Sequence, residues 1–187
     1  MPDTPPEWTT LKRTIQLKTP IFSVQSHLRA HPDTPHDSAE FWSVSPSDWV
    51  NIIALTPEQE VVLVTQYRHG TNNITLEIPG GALDPDEDPL DAAQRELLEE
   101  TGYSSTQWIK LGDIAVNPAM MTNHCTTFLA KDALQTHPQN LDEHEDITVS
   151  TLPVARFLDL IDQGHISHGI VVSAAYFLLR HLQRTTP

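Results

Sequence analysis

The chain has 187 residues, with 25 Asp and Glu against 11 Lys and Arg and a formal net charge of −14. That balance argues against nucleic acid and against an anionic membrane as partners, and it means that any chemistry on phosphates needs a cation to offset the charge of protein and substrate alike. The length suits one domain with a small appended unit, and the single cysteine, Cys125, excludes an intrachain disulfide and points to a reducing, cytoplasmic home.

The opening MPDTPPEW has no basic start and no apolar run, and residues 1–6 read as a frayed end. No stretch approaches the roughly 20 apolar residues that span a bilayer. From Trp8 the pattern is extended: Leu11, Ile15 and Leu17, then Ile21–Leu28, then Phe41–Val44, with HPDTPHD as a turn-rich connection. These segments form an N-terminal antiparallel β unit over residues 1–46. Trp49–Leu55 and Val61–Tyr67 are two stronger strands joined by TPEQE, and they read as a hairpin at the centre of the sheet of a second domain, residues 47–187.

Arg68 ends the second of these strands, where it is either a phosphate clamp or a surface ion pair. Glu77, between Leu76 and Ile78, is either on the solvent face of an alternating strand or an acceptor turned toward a ligand. After the central helix described below, Trp108–Asn117 and Thr126–Ala130 read as strands around NPAMMTNHC, and Gln135–Asp146 is a polar, acidic loop long enough to move over a site. Ile147–Leu152 returns to strand. A helix starts at Pro153 and stops at Gly164, and a last helix spans Ile166 to about Gln183 with Ile170, Ala174, Phe177 and Leu178 on one face. The ten histidines are scattered without zinc-ligand spacing and read as surface residues; Cys125 reads as a buried structural thiol.

The most informative stretch is LEIPGGALDPDEDPLDAAQRELLEETGY, residues 76–103. Asp88 as N-cap, Pro89 at the first helical position and Gly102 as terminator bracket a helix. Leu90, Ala93, Leu97 and Thr101 make its core-facing stripe, while Glu96 and Glu100 sit four apart on a different face with Glu99 beside them. Like charges at that spacing weaken a helix, and Arg95 alone offsets them. Oxygen ligands of this kind suit Mg²⁺ or Mn²⁺, and the Gly80-Gly81 pair permits a close backbone approach and offers carbonyl oxygens.

Gly81, Glu87, Arg95, Glu96, Leu97, Glu99, Glu100, Gly102 and Tyr103 fall at the spacing G-x5-E-x7-R-E-U-x-E-E-x-G-U, where U is bulky and apolar or aromatic. This stretch, residues 81–103, resembles the Nudix hydrolase box without a mismatch. Beyond the box, Pro118 lies fifteen residues after Tyr103, and Asp142-Glu143-His144-Glu145-Asp146-Ile147 is similar to the D-E-x-E-D-I loop of the ADP-ribose pyrophosphatase-like and nucleoside-diphosphate-sugar branch. The resemblance implies an α/β Nudix fold: a mixed β-sheet in an α/β/α sandwich with the N-terminal antiparallel β unit added. It implies that Glu96, Glu99 and Glu100, the Gly80 carbonyl and Glu145 bind catalytic Mg²⁺, that Glu143 is the base, and that Arg95 and Glu87 fix the geometry of the box. Arg68 would meet the diphosphate and Glu77 the ribose. The family is frequently homodimeric, and Trp42 or Trp49 would stack on a nucleobase or serve the core. The loop Asn117–Asn123 lacks the Gly and the acid usual in that branch, which weakens ADP-ribose relative to other nucleotide sugars such as GDP-mannose.

The activity so implied is metal-dependent hydrolysis of a nucleotide sugar to a nucleoside monophosphate and a sugar phosphate. Two other readings are open: a nucleotide-sensing module with no hydrolysis, and a dinucleoside polyphosphate hydrolase.

Overall fold

The structure, a computed structural model, describes residues 4–185; the frayed start expected at residues 1–6 lies partly outside them. The chain divides into two compact units, one made of residues up to Ser47 together with Ala115–Asn123, the other of Asp48–Ile114 and the residues from His124 onward.

The first unit is an antiparallel sheet of β1 (Thr9–Lys18), β2 (Phe22–His31) and β3 (Thr34–Pro46) in the order β1-β2-β3. The HPDTPHD segment is less loop than its composition suggests. β2 runs to His31 and β3 resumes at Thr34, leaving a tight turn at 32–33. Along β3, Val44 donates its N–H to the Met120 carbonyl at 2.8 Å and accepts from Thr122 at 3.1 Å, so the segment 115–123 is stitched to the strand through backbone.

In the second unit, β4 (Trp49–Ala54) and β10 (His124–Lys131) pair in parallel, flanked by β7 (Gly80–Ala82) and β9 (Gln107–Ala115) in the order β7-β4-β10-β9. A second sheet has the order β12-β5-β6, from β5 (Glu60–Arg68), β6 (Asn73–Glu77) and β12 (Thr148–Pro153), and β8 (Tyr103–Ser104) pairs with β11 (Leu134–Gln135). The helices are α1 (Pro89–Thr101), α2 (Val154–Asp162) and α3 (Gly169–Thr185).

The hairpin expected between Trp49–Leu55 and Val61–Tyr67 does not form. The two strands lie in different sheets and meet only at an isolated bridge between Leu55 and Val61. The reason is burial: residues 50–54 and 61–64 are all buried, so neither strand has a solvent face, and each sits between two neighbours in its own sheet. The TPEQE turn carries the chain from one sheet to the other.

Alternation along these strands builds two cores. Val50, Ile52, Ala54, Val62, Phe128 and Ala130 pack with Ala92, Ala93 and Leu97 of α1. Ile53, Leu63 and Leu129 point the other way, to Phe157 of α2 and Val171, Ala174 and Leu178 of α3. Helices therefore cover both faces of a mixed sheet, as expected for an α/β sandwich. Each fully buried Leu, Ile or Phe contributes roughly 1.5–3 kcal/mol. Cys125 is among the buried residues, and burial pushes its thiol up to about 12, which suits a packing role.

Candidate active site

The Asp88 carboxylate accepts the Leu90 N–H at 2.8 Å, Pro89 occupies the first turn, and Gly102 closes α1 in the left-handed conformation (φ 73°) with its N–H on the Leu98 carbonyl. These caps fix where α1 begins and ends, and hence the direction in which its glutamates project. Glu96 and Glu100, four apart, face β7. Glu100 is 3% exposed, and its Oε2 accepts the Gly80 N–H at 2.9 Å. Gly81 lies so close to α1 that a Cβ there would meet the Glu96 carboxylate and force that side chain to shift.

Arg95 ties the preceding loop to the helix. Its Nε and Nη2 donate to the two oxygens of Glu87 at 2.9 Å, Nη2 reaches the Ala82 carbonyl, and Nη1 donates to Glu96 at 2.8 Å and Glu99 at 3.1 Å. The fork geometry is bidentate and charge-assisted. Those hydrogen bonds hold Glu87 below the usual carboxylate range and raise Arg95.

The loop after β11 is tethered where sequence composition suggests freedom. The Thr136 and His137 N–H groups donate to the Gly102 carbonyl, Asn140 donates to the Glu99 carbonyl, and the Gln139 amide bridges the Glu100 and Ile147 carbonyls. Beyond Asn140 the loop carries Glu145, whose charge is felt by Glu96, Glu100 and Arg68. Glu143 is exposed and makes no hydrogen bond or ion pair within the described residues.

Burial is the main force that pushes the Glu100 carboxyl up to about 8; the Gly80 amide opposes it, and the negative charges of Glu96 and Glu145 add to it. Glu96 is also raised, again mainly by burial. Among the described residues no three acidic, His or Cys side chains converge closely enough to grip an ion as they stand. The donor chemistry nevertheless fits a hard divalent cation: all-oxygen ligands, mutually repelling, half out of water, with Arg95 engaged on one side of Glu96 and Glu99.

A second buried carboxylate has the opposite surroundings. Glu77, 2% exposed at the end of β6, accepts four hydrogen bonds: Arg68 Nε and Nη2 at 2.8 Å each, Thr75 Oγ1 at 2.5 Å and His168 Nδ1 at 2.8 Å. Burial alone would raise it, but the bonds from Arg68, His168 and Thr75 outweigh burial and hold it well below the usual range. Of the two alternatives read for Arg68, the structure shows the ion pair, made with the buried Glu77 through Nε and Nη2. These residues line a cleft of about 410 Å³ whose wall includes Trp49, Thr71, Asn73 and Ser167.

Trp42 lies in the other unit, 53% exposed on β3, beside a cavity of about 590 Å³ shared with Trp8, Phe41, Arg13 and Arg29. Sequence reasoning missed Thr75, though its place two residues before Glu77 on the same strand face could have marked it. His168 carries no such local signal. It stands 91 residues from Glu77, and the last helix starts at Gly169, three residues later than the pattern from Ile166 suggests. Ile166 is buried ahead of the helix, and the His168 carbonyl receives the first helical N–H, from Val172.

The family profile described as NUDIX domain matches residues 47–173. The chain belongs to the Nudix family. Among Nudix relatives, a methanol dehydrogenase activator of Bacillus methanolicus is 34% identical over 130 residues, 69% of this chain and 70% of that one. An ADP-ribose pyrophosphatase of Bacillus subtilis is 28% identical over the same shares, and a GDP-mannose pyrophosphatase of Klebsiella pneumoniae is 33% identical over 67% of this chain and 65% of its own. A crystal structure of an ADP compounds hydrolase superimposes with a TM-score of 0.84 over 97% of each chain at 22% identity, which shows a shared fold. The Nudix box of this chain is α1 with the β7 strand and the loop latched to it by Arg95.

Proposed function

We propose that this Nudix protein hydrolyses the diphosphate bond of a nucleoside diphosphate sugar, releasing a nucleoside monophosphate and a sugar phosphate. The observation that carries this is the pair of buried glutamates of α1, Glu96 and Glu100, both raised by burial and by the charge of Glu145, together with a half-buried Arg68 that feels Glu100 and Glu145 and keeps one guanidinium nitrogen clear of its bond to Glu77. Relatives named as ADP-ribose and GDP-mannose pyrophosphatases support the substrate class.

Glu96, Glu99, Glu100, the Gly80 carbonyl and Glu145 would hold Mg²⁺, with Mn²⁺ as an alternative. Such a cation neutralises the diphosphate and makes water a better nucleophile at neutral pH. Arg68 holds a phosphate oxygen through Nη1, kept in place by its bidentate bond to Glu77. Arg95 and Glu87 keep α1 and the β7 loop in register. Glu143, on the same loop as Glu145, takes the proton of the attacking water. The protein works as a cytoplasmic homodimer, paired through its N-terminal β unit of residues 1–46, with which the segment Ala115–Asn123 is grouped.

The deciding experiment is product analysis by mass spectrometry after incubation with Mg²⁺ and a panel of ADP-ribose, GDP-mannose, a dinucleoside polyphosphate and nucleoside triphosphates. A nucleoside monophosphate with a sugar phosphate is expected. Cleavage of the polyphosphate alone would overturn the substrate class, and binding without any cleavage would make the protein a nucleotide sensor.

A further inference from the structure

Glu77 accepts from Arg68, Thr75 and His168 at once, and a carboxylate with its charge so fully matched offers only lone pairs to its neighbours. At 2.8 Å from Glu77 Oε2, Nδ1 of His168 must therefore be the donor. This fixes the tautomer. In the neutral ring the proton stays on Nδ1, and Nε2 carries a lone pair with no partner among the described residues. The ring is one third exposed and lines the 410 Å³ cleft.

The rest of that lining gives Nε2 its meaning. Arg68 supplies a donor only; Thr71, Asn73, Thr75 and Ser167 supply short hydroxyl and amide groups; Trp49 supplies an aromatic wall. A flat indole face with a rim of hydroxyls and amides suits a polyhydroxylated ring, whose C–H face packs on the indole while its hydroxyls find partners. A fixed nitrogen acceptor selects for a hydroxyl that donates. It rejects a group at that place that cannot donate, because the lone pair would be desolvated without a partner.

We propose that His168 is a specificity-determining residue, whose Nε2, set by the Nδ1–Glu77 hydrogen bond, accepts a hydroxyl of the sugar half of the substrate in the cleft walled by Trp49. The inference rests on the nucleotide-sugar reading and deepens it. Glu77 in turn aligns two substrate groups together, Arg68 for the phosphate and His168 for the sugar.

Two substitutions separate this role from simple support of Glu77. In His168→Asn the amide can take the place of Nδ1 and keep the donation to Glu77, while the Nε2 position is vacated. In His168→Gln the amide reaches the Nε2 position and the donation to Glu77 is lost. The probes are ADP-ribose and GDP-mannose, each with analogues lacking one sugar hydroxyl, measured by turnover with Mg²⁺ and by calorimetric binding without it. The wild type is expected to prefer one hydroxylated probe over its deoxy analogue by about ten- to a hundredfold in kcat/KM and in affinity. His168→Asn is expected to erase that preference while keeping its melting temperature; His168→Gln retains part of the preference.

A preference untouched in His168→Asn overturns the inference, as does a wild type with no preference in either measurement, or no binding of any probe. A ¹⁵N spectrum that places the proton on Nε2 in the free protein does so too. Binding that shows the hydroxyl preference without cleavage of any probe overturns hydrolysis as the function and leaves the role of His168 standing.

Discussion

Glu77 and Glu100 are equally buried, at 2% and 3% exposure, and carry the same carboxylate, yet the surroundings drive them in opposite directions. Four donors converge on Glu77, and its charge is held more firmly than in water. Glu100 has one backbone N–H and two negative neighbours, and its carboxyl is pushed up to about 8. Burial therefore says little about what a carboxylate is for; the count of donors around it says more. Glu77 is complete within the protein and serves as an anchor, whereas Glu100 lacks a matching set of donors and, in the function proposed above, would be completed by a cation.

The sharpest way to break this contrast is Glu100→Gln. Turnover at ordinary Mg²⁺ should fall by more than about a thousandfold, because the most deeply buried of the proposed cation ligands is lost. The metal-free variant should nevertheless be the more stable protein near pH 8. The sign follows from linkage: a carboxyl whose pKa rises from 4.5 in the unfolded chain to about 8 in the fold keeps its proton longer when folded, so its contribution to stability is lost as pH rises through that window. Thermal melts of both proteins from pH 5 to pH 8.5 without metal should show a slope in the wild type that the variant lacks. Near-normal turnover in Glu100→Gln would remove the carboxylate cluster from the chemistry.

Glu143→Gln tests a third carboxylate, exposed and without a hydrogen bond among the described residues. As the base it should lose about two to four decades in kcat and leave Mg²⁺ binding unchanged. Unchanged kcat would shift the proton transfer to a glutamate of α1.

Glu77→Gln should do the reverse of Glu100→Gln. It strands the buried side of Arg68 and unmatches His168, at a cost of about 3 kcal/mol, read as a lower urea midpoint. In the wild type the corresponding stabilisation is present above the unfolded pKa and fades as pH falls, since Glu77 is held low. An unchanged midpoint would mean that the four-donor nest contributes nothing net. The smallest effect belongs to Asp88→Ala, which removes the α1 cap and should cost about 1 kcal/mol with little change in rate; a large loss of activity would show that the cap sets the glutamate positions.

The sequence disclosed the α1 side of this comparison far better than the Glu77 side. Asp88, Pro89, Gly102 and the spacing of Glu96 and Glu100 are local signals, and their consequences unfold within one helix. The nest around Glu77 is assembled from β5, β6 and the start of α3, and nothing local marks His168 as its fourth member. The same limit explains the hairpin that did not form. Val61–Val64 and Val50–Ala54 announce two buried strands, but which neighbours cover their edges is decided by β10 and β12, far along the chain.

The ties between the end of α1 and the loop that follows β11 have a consequence for how Glu145 finds its partners. Thr136 and His137 hold the Gly102 carbonyl, Asn140 holds Glu99, and Gln139 spans Glu100 and Ile147. The backbone is thus pinned on both sides of the arc 141–146. A ligand on so short an arc meets Glu96 and Glu100 at a high effective concentration, because most of the loop-closure entropy was lost when the chain folded. On the proposed role of Glu145, capture of a cation by this fourth carboxylate would be an almost prepaid step, and lengthening the arc with glycines should weaken the grip on the ion without altering a single proposed ligand.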